Sequence, residues 1–428
     1  MNTNFESMTL KNGLGLKTLK NSFLHSVTMG LYVKKLPEPV CGIAHLVEHL
    51  FFRRLDDIQQ EELYHETDCI GATLNATTYA DFICFNVTVS PRKITEAFQL
   101  LPKIFNTFEW NHQEISAEKE VVKRQIEDRY VSVYTKADLD YYKGTSKGTL
   151  LMGRLSDINK MSAKEINTYK NNMFAPQNAC FVLTGNFNND DIAYCIKLLN
   201  RIPASNDVIF PTSSPSVSNF SRRHEKADKI YSATDEFADV CISFDVDENK
   251  INRYAAELLF SILGFGVTSK LSQGLREQKG FVNEINGNIE FSDYAGRMTF
   301  EYSVIAENLS KSLWHTFEIL TQAKNNLTDI DLQRNIMFYT ENQYRLLDDA
   351  QELNFLIGWR AFIEKEQIKS VDDLIERYKK ITIEDIRYAA NEILKPKNLI
   401  ISVSNNNKIL SKAHLTKSLK DCRKKLEV

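Results

Sequence analysis

The chain has 428 residues, 43% hydrophobic and 25% charged, which excludes wholesale disorder and, at this length, a single small domain. Its 53 Lys+Arg nearly balance 56 Asp+Glu, for a formal net charge of −3, so overall charge gives no reason to expect a nucleic-acid partner. Seven scattered cysteines, odd in number and without a C-x-x-C pair, argue against a disulfide framework or a cysteine zinc site.

The N-terminus, Met1-Asn-Thr-Asn-Phe-Glu-Ser7, has neither the basic start nor the apolar run of a secretory signal. No apolar stretch approaches the roughly 18 residues of a spanning helix. A cytoplasmic protein with no membrane span is expected. In the first half the patterning predicts strands over 18–33 and 73–89, and helices over 42–54, 93–105, 115–130 and 190–200. A Ser/Pro-rich stretch around 206–221 then reads as a linker. The second half carries strand patterns over 240–246 and 288–304, and helical patterns over 253–262, 270–279, 311–323 and 332–347. The run Leu263-Gly264-Phe-Gly266 is read as a loop and not as a phosphate cradle. The lysine-rich tail from Lys408 to Lys425 is read as a solvated helix face, with docking to an acidic partner as the alternative.

The chain also repeats itself. Met161-Ser-Ala-Lys-Glu-Ile166, then Asn171, then Phe174-Ala-Pro176-Gln-Asn178, returns 220 residues later as Ile381-Thr-Ile-Glu-Asp-Ile386, Asn391 and Leu394-Lys-Pro396-Lys-Asn398. Each copy opens on a helix-start signal, Ser162-x-x-Glu165 or Thr382-x-x-Asp385, and each runs past a proline into a strand. Two homologous halves are therefore expected: 1–205, a linker over 206–227, and 228–428. Strand and helix runs without strict βαβ alternation give the fold class as α+β, two α/β-sandwich domains, each a mixed sheet with helices on one face.

The most informative segment is Gly42-Ile-Ala-His45-Leu-Val-Glu48-His49-Leu-Phe-Phe52. On a helix His45 and His49 stand one turn apart on one face, with Glu48 beside them. Two imidazoles at this spacing can chelate zinc, and the carboxylate can take a proton from water at the metal. Chance would place H-x-x-E-H in roughly one such chain in a hundred. Here, however, the helix is apolar nearly all round, and buried titratable groups need partners.

With this motif the chain resembles the M16 family, the pitrilysin-like or inverzincin zinc metallopeptidases that include the mitochondrial processing peptidase. Gly71-Ala-Thr-Leu-Asn75-Ala-Thr-Thr78 looks like the family's G-x-x-N-A-x-T strand, and Leu271-Ser-Gln-Gly-Leu-Arg276-Glu-Gln-Lys-Gly280 like its second-half L-R-E-x-x-G segment. The resemblance implies an M16/LuxS-like metalloenzyme fold, Zn2+ held by His45 and His49, and Glu48 as general base. It further implies Asn75 and Arg276 as substrate-binding residues, the former on an edge strand to which a peptide adds its backbone. From sequence alone an Asn in a strand-end turn explains Asn75 equally well.

Two positions depart from the family pattern. The third ligand, a glutamate in the family, is Gln125 here. Ile115, Glu118, Val122, Gln125 and Arg129 lie on one helical stripe, so Gln125 is expected to project as the apolar residues do. Three readings stay open: Gln125 is a poor ligand, Glu118 or water replaces it with Glu118 otherwise supporting the site from behind, or the site is empty. The family's tyrosine seven positions after the arginine is Asn283. The resemblance to the M16B type then implies the metal-motif subunit of a heterodimer whose second chain supplies the Arg/Tyr clamp, a homodimer being the alternative. The expected function is a zinc-dependent endopeptidase subunit cutting short or unfolded peptides in a closed chamber, as in small bacterial heterodimers that remove leader segments from ribosomal peptides. Its rival is an inactive scaffold or peptide-binding subunit.

Overall fold

Alternation of side chains across each strand decides how the two sheets are covered. The computed structural model describes residues 4–129, 131–204, 228–291 and 296–427; the expected linker, 206–227, lies outside them. In the first half β1 (Glu6–Thr9), β2 (Gly15–Lys20), β3 (Val27–Lys34), β4 (Thr73–Thr78), β5 (Phe82–Val89) and β6 (Ala179–Gly185) form one sheet in the order β1-β2-β6-β3-β5-β4. Only β2 and β6 run parallel; the other neighbours are antiparallel. The main helices used below are α1 (Ile43–Arg53), α2 (His112–Glu127), α3 (Val133–Tyr141) and α4 (Ala163–Met173).

The second half repeats this plan. Its strands β7 (Lys229–Ser232), β8 (Phe237–Val246), β9 (Asn286–Phe291), β10 (Gly296–Ile305) and β11 (Leu399–Asn405) lie in the order β9-β10-β8-β11-β7. Again the single parallel pair, β11 with β7, sits where β6 with β2 sits in the first sheet. The helices are α5 (Arg253–Gly264), α6 (Asp329–Leu346), α7 (Ala350–Ile357), α8 (Ile383–Ile393) and α9 (Lys412–Lys425). The expected duplication is present down to single bonds. Ser162 and Thr382 each close a reciprocal capping box with the residue three on. Asn178 Nδ2 donates to the Met173 carbonyl at 2.9 Å, and Asn398 Nδ2 to the Ile393 carbonyl at 3.1 Å, 220 residues later. Both bonds satisfy a carbonyl that the end of a helix leaves free.

In the first sheet Val27, Met29, Leu31 and Val33 of β3 enter the main core with Leu46, Val47 and Leu50 of α1. The alternate residues Thr28, Gly30 and Tyr32 face the other way and meet α7, a helix from the second half. Asn354 of α7 is fully buried there; its Nδ2 donates to the carbonyls of Thr28 at 3.1 Å and Val182 at 2.9 Å. The Tyr32 hydroxyl donates to the Asn354 carbonyl at 3.0 Å, and a Cβ on Gly30 would overlap the Asn354 amide. The second sheet is covered likewise by α3, from the first half: Tyr141 donates to Asp245 at 2.8 Å, and buried Arg297 pairs with Asp138 at 2.5 Å under the Tyr141 ring. The compact units are thus not the contiguous halves. One includes Asn342–Leu374, the other Val131–Tyr141. Each sheet therefore has helices on one face and a borrowed helix on the other.

Two predicted helices take other forms. The 93–105 segment breaks into Ile94–Ala97 and a 3-10 turn at Leu101–Phe105, because Pro102 cannot continue an α-helix. The 270–279 segment contains a π-type turn at Ser272–Glu277. The lysine-rich tail is α9, with Leu415, Leu419 and Cys422 buried on one stripe and its lysines outside it. No helix among the described residues is long and apolar enough to cross a membrane.

Candidate metal centre

Helix α1 starts at Gly42, whose left-handed φ of 89° suits glycine and where a Cβ would stand 2.5 Å from the Met152 carbonyl oxygen. The Glu38 carboxylate accepts from the amides of Gly42 at 3.1 Å and Ala44 at 3.3 Å, a favourable place for an anion. Ile43, Ala44, Leu46, Val47, Leu50 and Phe51 are buried. That packing fixes the helix, and with it the three polar groups of the motif.

The rings of His45 and His49 lie 4.7 Å apart, centroid to centroid, on the same face. Glu48 is buried, and the Thr78 hydroxyl at the end of β4 donates to its Oε2. Burial pushes the Glu48 carboxyl above its ordinary range, opposed by the Thr78 bond. Burial first, then the neighbouring His49, Lys35 and Arg129, push the His45 imidazole down to about 3. It is therefore neutral at physiological pH, the form that ligates metals. His45 Nδ1 is buried without a hydrogen-bond partner among the described residues, a cost that a metal would remove.

Glu118 of α2 contacts His49 Nδ1 at 3.3 Å and Arg53 Nε at 3.1 Å. A carboxylate that accepts from Nδ1–H favours the tautomer of His49 that leaves Nε2 for a ligand. Glu118 thus stands beside the His49 ring, between it and Arg53. Thr78 and Arg53 were not singled out from sequence. Arg53 stands one turn past His49 on the same face, and that spacing was the available signal.

The stripe predicted on α2 holds in part: Ile115, Glu118 and Val122 are buried, but Gln125 is exposed. The helix is leaving the core at that point. Glu118 touches His49, and the charge of Arg129 is felt at His45; Gln125 lies between these two on the stripe. Asn75 is exposed on β4, an edge strand of the first sheet. Arg276 lies in the other unit, ion-paired with Glu277 at 3.2 Å, and Asn283 is exposed. Among the described residues no three His, Cys, Asp or Glu side chains form a metal-holding group. The pair that the structure brings together on one face is the two imidazoles, His45 and His49.

The family model described as insulinase, peptidase family M16, matches residues 18–137, and that of the peptidase M16 inactive domain matches 160–338. An uncharacterized zinc protease of Bacillus subtilis is 21% identical over 410 residues, covering 90% of this chain and 94% of that protein. One of Rickettsia bellii is 22% identical over 425 residues, covering 95% and 99%. Among solved structures, a protease from Helicobacter pylori superposes with a TM-score of 0.82 at 17% identity, covering 94% of this chain and 99% of that one. A peptidase M16 inactive domain from Pseudomonas fluorescens gives 0.81 at 13% identity, covering 94% and 98%.

Proposed function

This chain belongs to peptidase family M16, and from that premise we propose that it is the metal-motif subunit of a zinc-dependent endopeptidase acting on short or unfolded peptides. One observation carries the reading: neutral His45 and its neighbour His49 share a face with Glu48, and Glu48 is tied through Thr78 to an exposed edge strand. His45 and His49 would hold the ion, with Gln125 as the weak third donor. When bound, zinc supplies Lewis acidity toward the scissile carbonyl.

The remaining work falls to the chain's own residues. An extended peptide adds to the free edge of β4, where exposed Asn75 bonds its backbone near the bond to be cut. Glu48 takes a proton from the attacking water and passes it to the leaving amine; its raised affinity for protons suits a group that must do both. Glu118 holds His49 in one tautomer. Arg276 contributes half of a substrate clamp, and with Asn283 in the tyrosine position, a second M16-like chain supplies the complete pair. Cytoplasmic processing of ribosomally made peptides, such as leader removal, is the substrate role that the family resemblance supports.

A scaffold or peptide-binding role is the second reading, favoured by the lack of a three-residue acid/His/Cys group among the described residues. Peptide cleavage with added zinc, by this chain alone and mixed with a clamp-bearing chain, separates the two. Turnover that Glu48→Gln abolishes supports the peptidase. Tight association of the mixture with no turnover at any zinc concentration overturns it.

A further inference from the structure

Positive charge is concentrated on helix α9. The run from Lys408 to Lys425 holds six lysines and Arg423 against one acid, Asp421, a net +6. The chain as a whole is −3, so its other residues together carry −9. Leu415, Leu419 and Cys422 commit the apolar stripe of α9 to the core. Lys417, Lys420 and Lys424 crest the opposite face, and Lys408 and Lys412 are exposed ahead of them. None of these five side chains has an ion-pair or hydrogen-bond partner among the described residues.

The fold does not require this arrangement. Lys420 lies three residues from Lys417 and four from Lys424, spacings at which like charges repel. Lys412 stands in the first turn, where the helix dipole disfavours a cation and no acid answers it. Elsewhere a surface lysine has an acid one turn away, as Lys93 has Glu96, Lys123 has Glu120 and Lys379 has Glu376. The counterpart of α9 in the first half, the helix Asn189–Leu199 that follows β6, opens on Asp190 and Asp191 and has one cation, Lys197. Charge that one copy lacks and the other leaves unneutralised points to an anionic partner.

The kind of cation identifies that partner. Nucleic-acid phosphates and single carboxylates are gripped best by the guanidinium fork. The one arginine of the run, Arg423, is turned inward, to Asp228 at 2.5 Å and the Leu399 carbonyl at 3.1 Å. The exposed cations are all lysines, hydrated point charges that suit a fluid array of head groups without fixed geometry. Trp314, 45% exposed on the neighbouring helix Leu309–Asn326, has Lys425 Nζ 3.4 Å from its ring centroid. An aromatic ring thus borders the lysine face, a side chain that settles at head-group level. We propose that α9 docks the chain peripherally on a bilayer surface rich in anionic lipids. The −9 carried elsewhere is repelled by such a surface, which selects the orientation with α9 toward it. The face needs neither zinc nor peptide, so the proposal stands or falls apart from the peptidase reading.

Cosedimentation of the full chain with vesicles tests it. Vesicles of mixed phosphatidylglycerol and phosphatidylcholine should bind the chain, vesicles of phosphatidylcholine alone should not, and about 0.5 M salt should release it. Each lysine near such a surface contributes about a fivefold factor, so Lys417→Gln, Lys420→Gln and Lys424→Gln combined should lower partitioning about 100-fold. Lys143→Gln, Lys160→Gln and Lys164→Gln combined, the same change of charge at exposed sites in the first half, should stay within about threefold of wild type. Tryptophan emission should shift to shorter wavelength on the anionic vesicles, and Trp314→Phe should remove that shift; circular dichroism checks that every variant folds. No binding to the anionic vesicles, a α9 triple variant that binds as wild type does, a control triple that falls as far, or a shift that survives Trp314→Phe overturns the proposal. So does a chain that ignores the vesicles yet binds polyglutamate or polyuridylate through these lysines.

Discussion

Glu118→Ala separates support of the site from ligation. The substitution removes the acceptor for His49 Nδ1 at 3.3 Å and the counter-charge for Arg53 at 3.1 Å. Losing the partner that orients a ligating imidazole costs about 10–100-fold in metal affinity, or about 1.4–2.7 kcal/mol. The upper end is expected here, because the mutant leaves the Arg53 guanidinium uncompensated near the dication. Glu118→Gln keeps an acceptor oxygen for His49 and should fall between wild type and alanine. Zinc affinity by competition with a chromophoric chelator reads both without any turnover. Equal affinity in wild type and Glu118→Ala would refute the supporting role. A loss far beyond 100-fold would make Glu118 a direct ligand, and a wild type that takes up no zinc would refute the site itself.

Glu48→Gln should keep the Thr78 bond through its amide oxygen, hold zinc near the wild-type level, and lower peptide cleavage by at least about 100-fold; loss of zinc together with activity would reassign Glu48 as a ligand. Gln125→Glu should tighten zinc at least about tenfold by adding charge at the third donor, and unchanged retention in the chelator assay would place Gln125 away from the ion. Asn354→Ala should destabilise the chain by about 3 kcal/mol in urea denaturation, since it removes a buried amide whose two N–H groups are shared among Thr28, Val182 and Thr184; a change under about 1 kcal/mol would mean that α7 is held by apolar contacts alone. Burial, with Arg54 nearby, lowers Lys170 to about 8. The unfolded chain therefore binds the extra proton between pH 8 and the ordinary lysine value, and stability should rise with pH across that window. Lys170→Met should lose that rise, as equilibrium unfolding at several pH values would reveal.

The motif was legible because α1 is buried by its own sequence: an apolar helix admits H-x-x-E-H only if something answers those groups. The duplication was legible because the capping boxes and the prolines recur at a fixed offset. The covering helices α3 and α7 were not. Their partners are strands of the other half, and the faces they cover include polar groups such as Thr28, Ser243, Arg297 and Asp245; α7 is only eight residues long, and Asn354 interrupts its buried stripe of Ala350, Leu353 and Ile357. Helix Gln60–Cys69 was missed for a related reason: only Leu63 and Thr67 are buried, too few to impose a period. Gln125 was placed on the right stripe, but periodicity cannot say where a helix leaves its core.

Two copies of one fold in one chain separate what folding needs from what function adds. The sheet order, the caps at Ser162 and Thr382, and the amide bonds of Asn178 and Asn398 occur in both halves; these are requirements of the architecture. The paired imidazoles occur once. Helix α5, which follows β8 as α1 follows β3, has no histidine, and its buried Glu257 accepts from the Tyr378 hydroxyl within an apolar core. A carboxylate bound there by a phenol needs no metal, whereas His45 on α1 has a buried nitrogen with no hydrogen-bond partner among the described residues. The feature present in one copy alone is the one to which the proposed ion would bind.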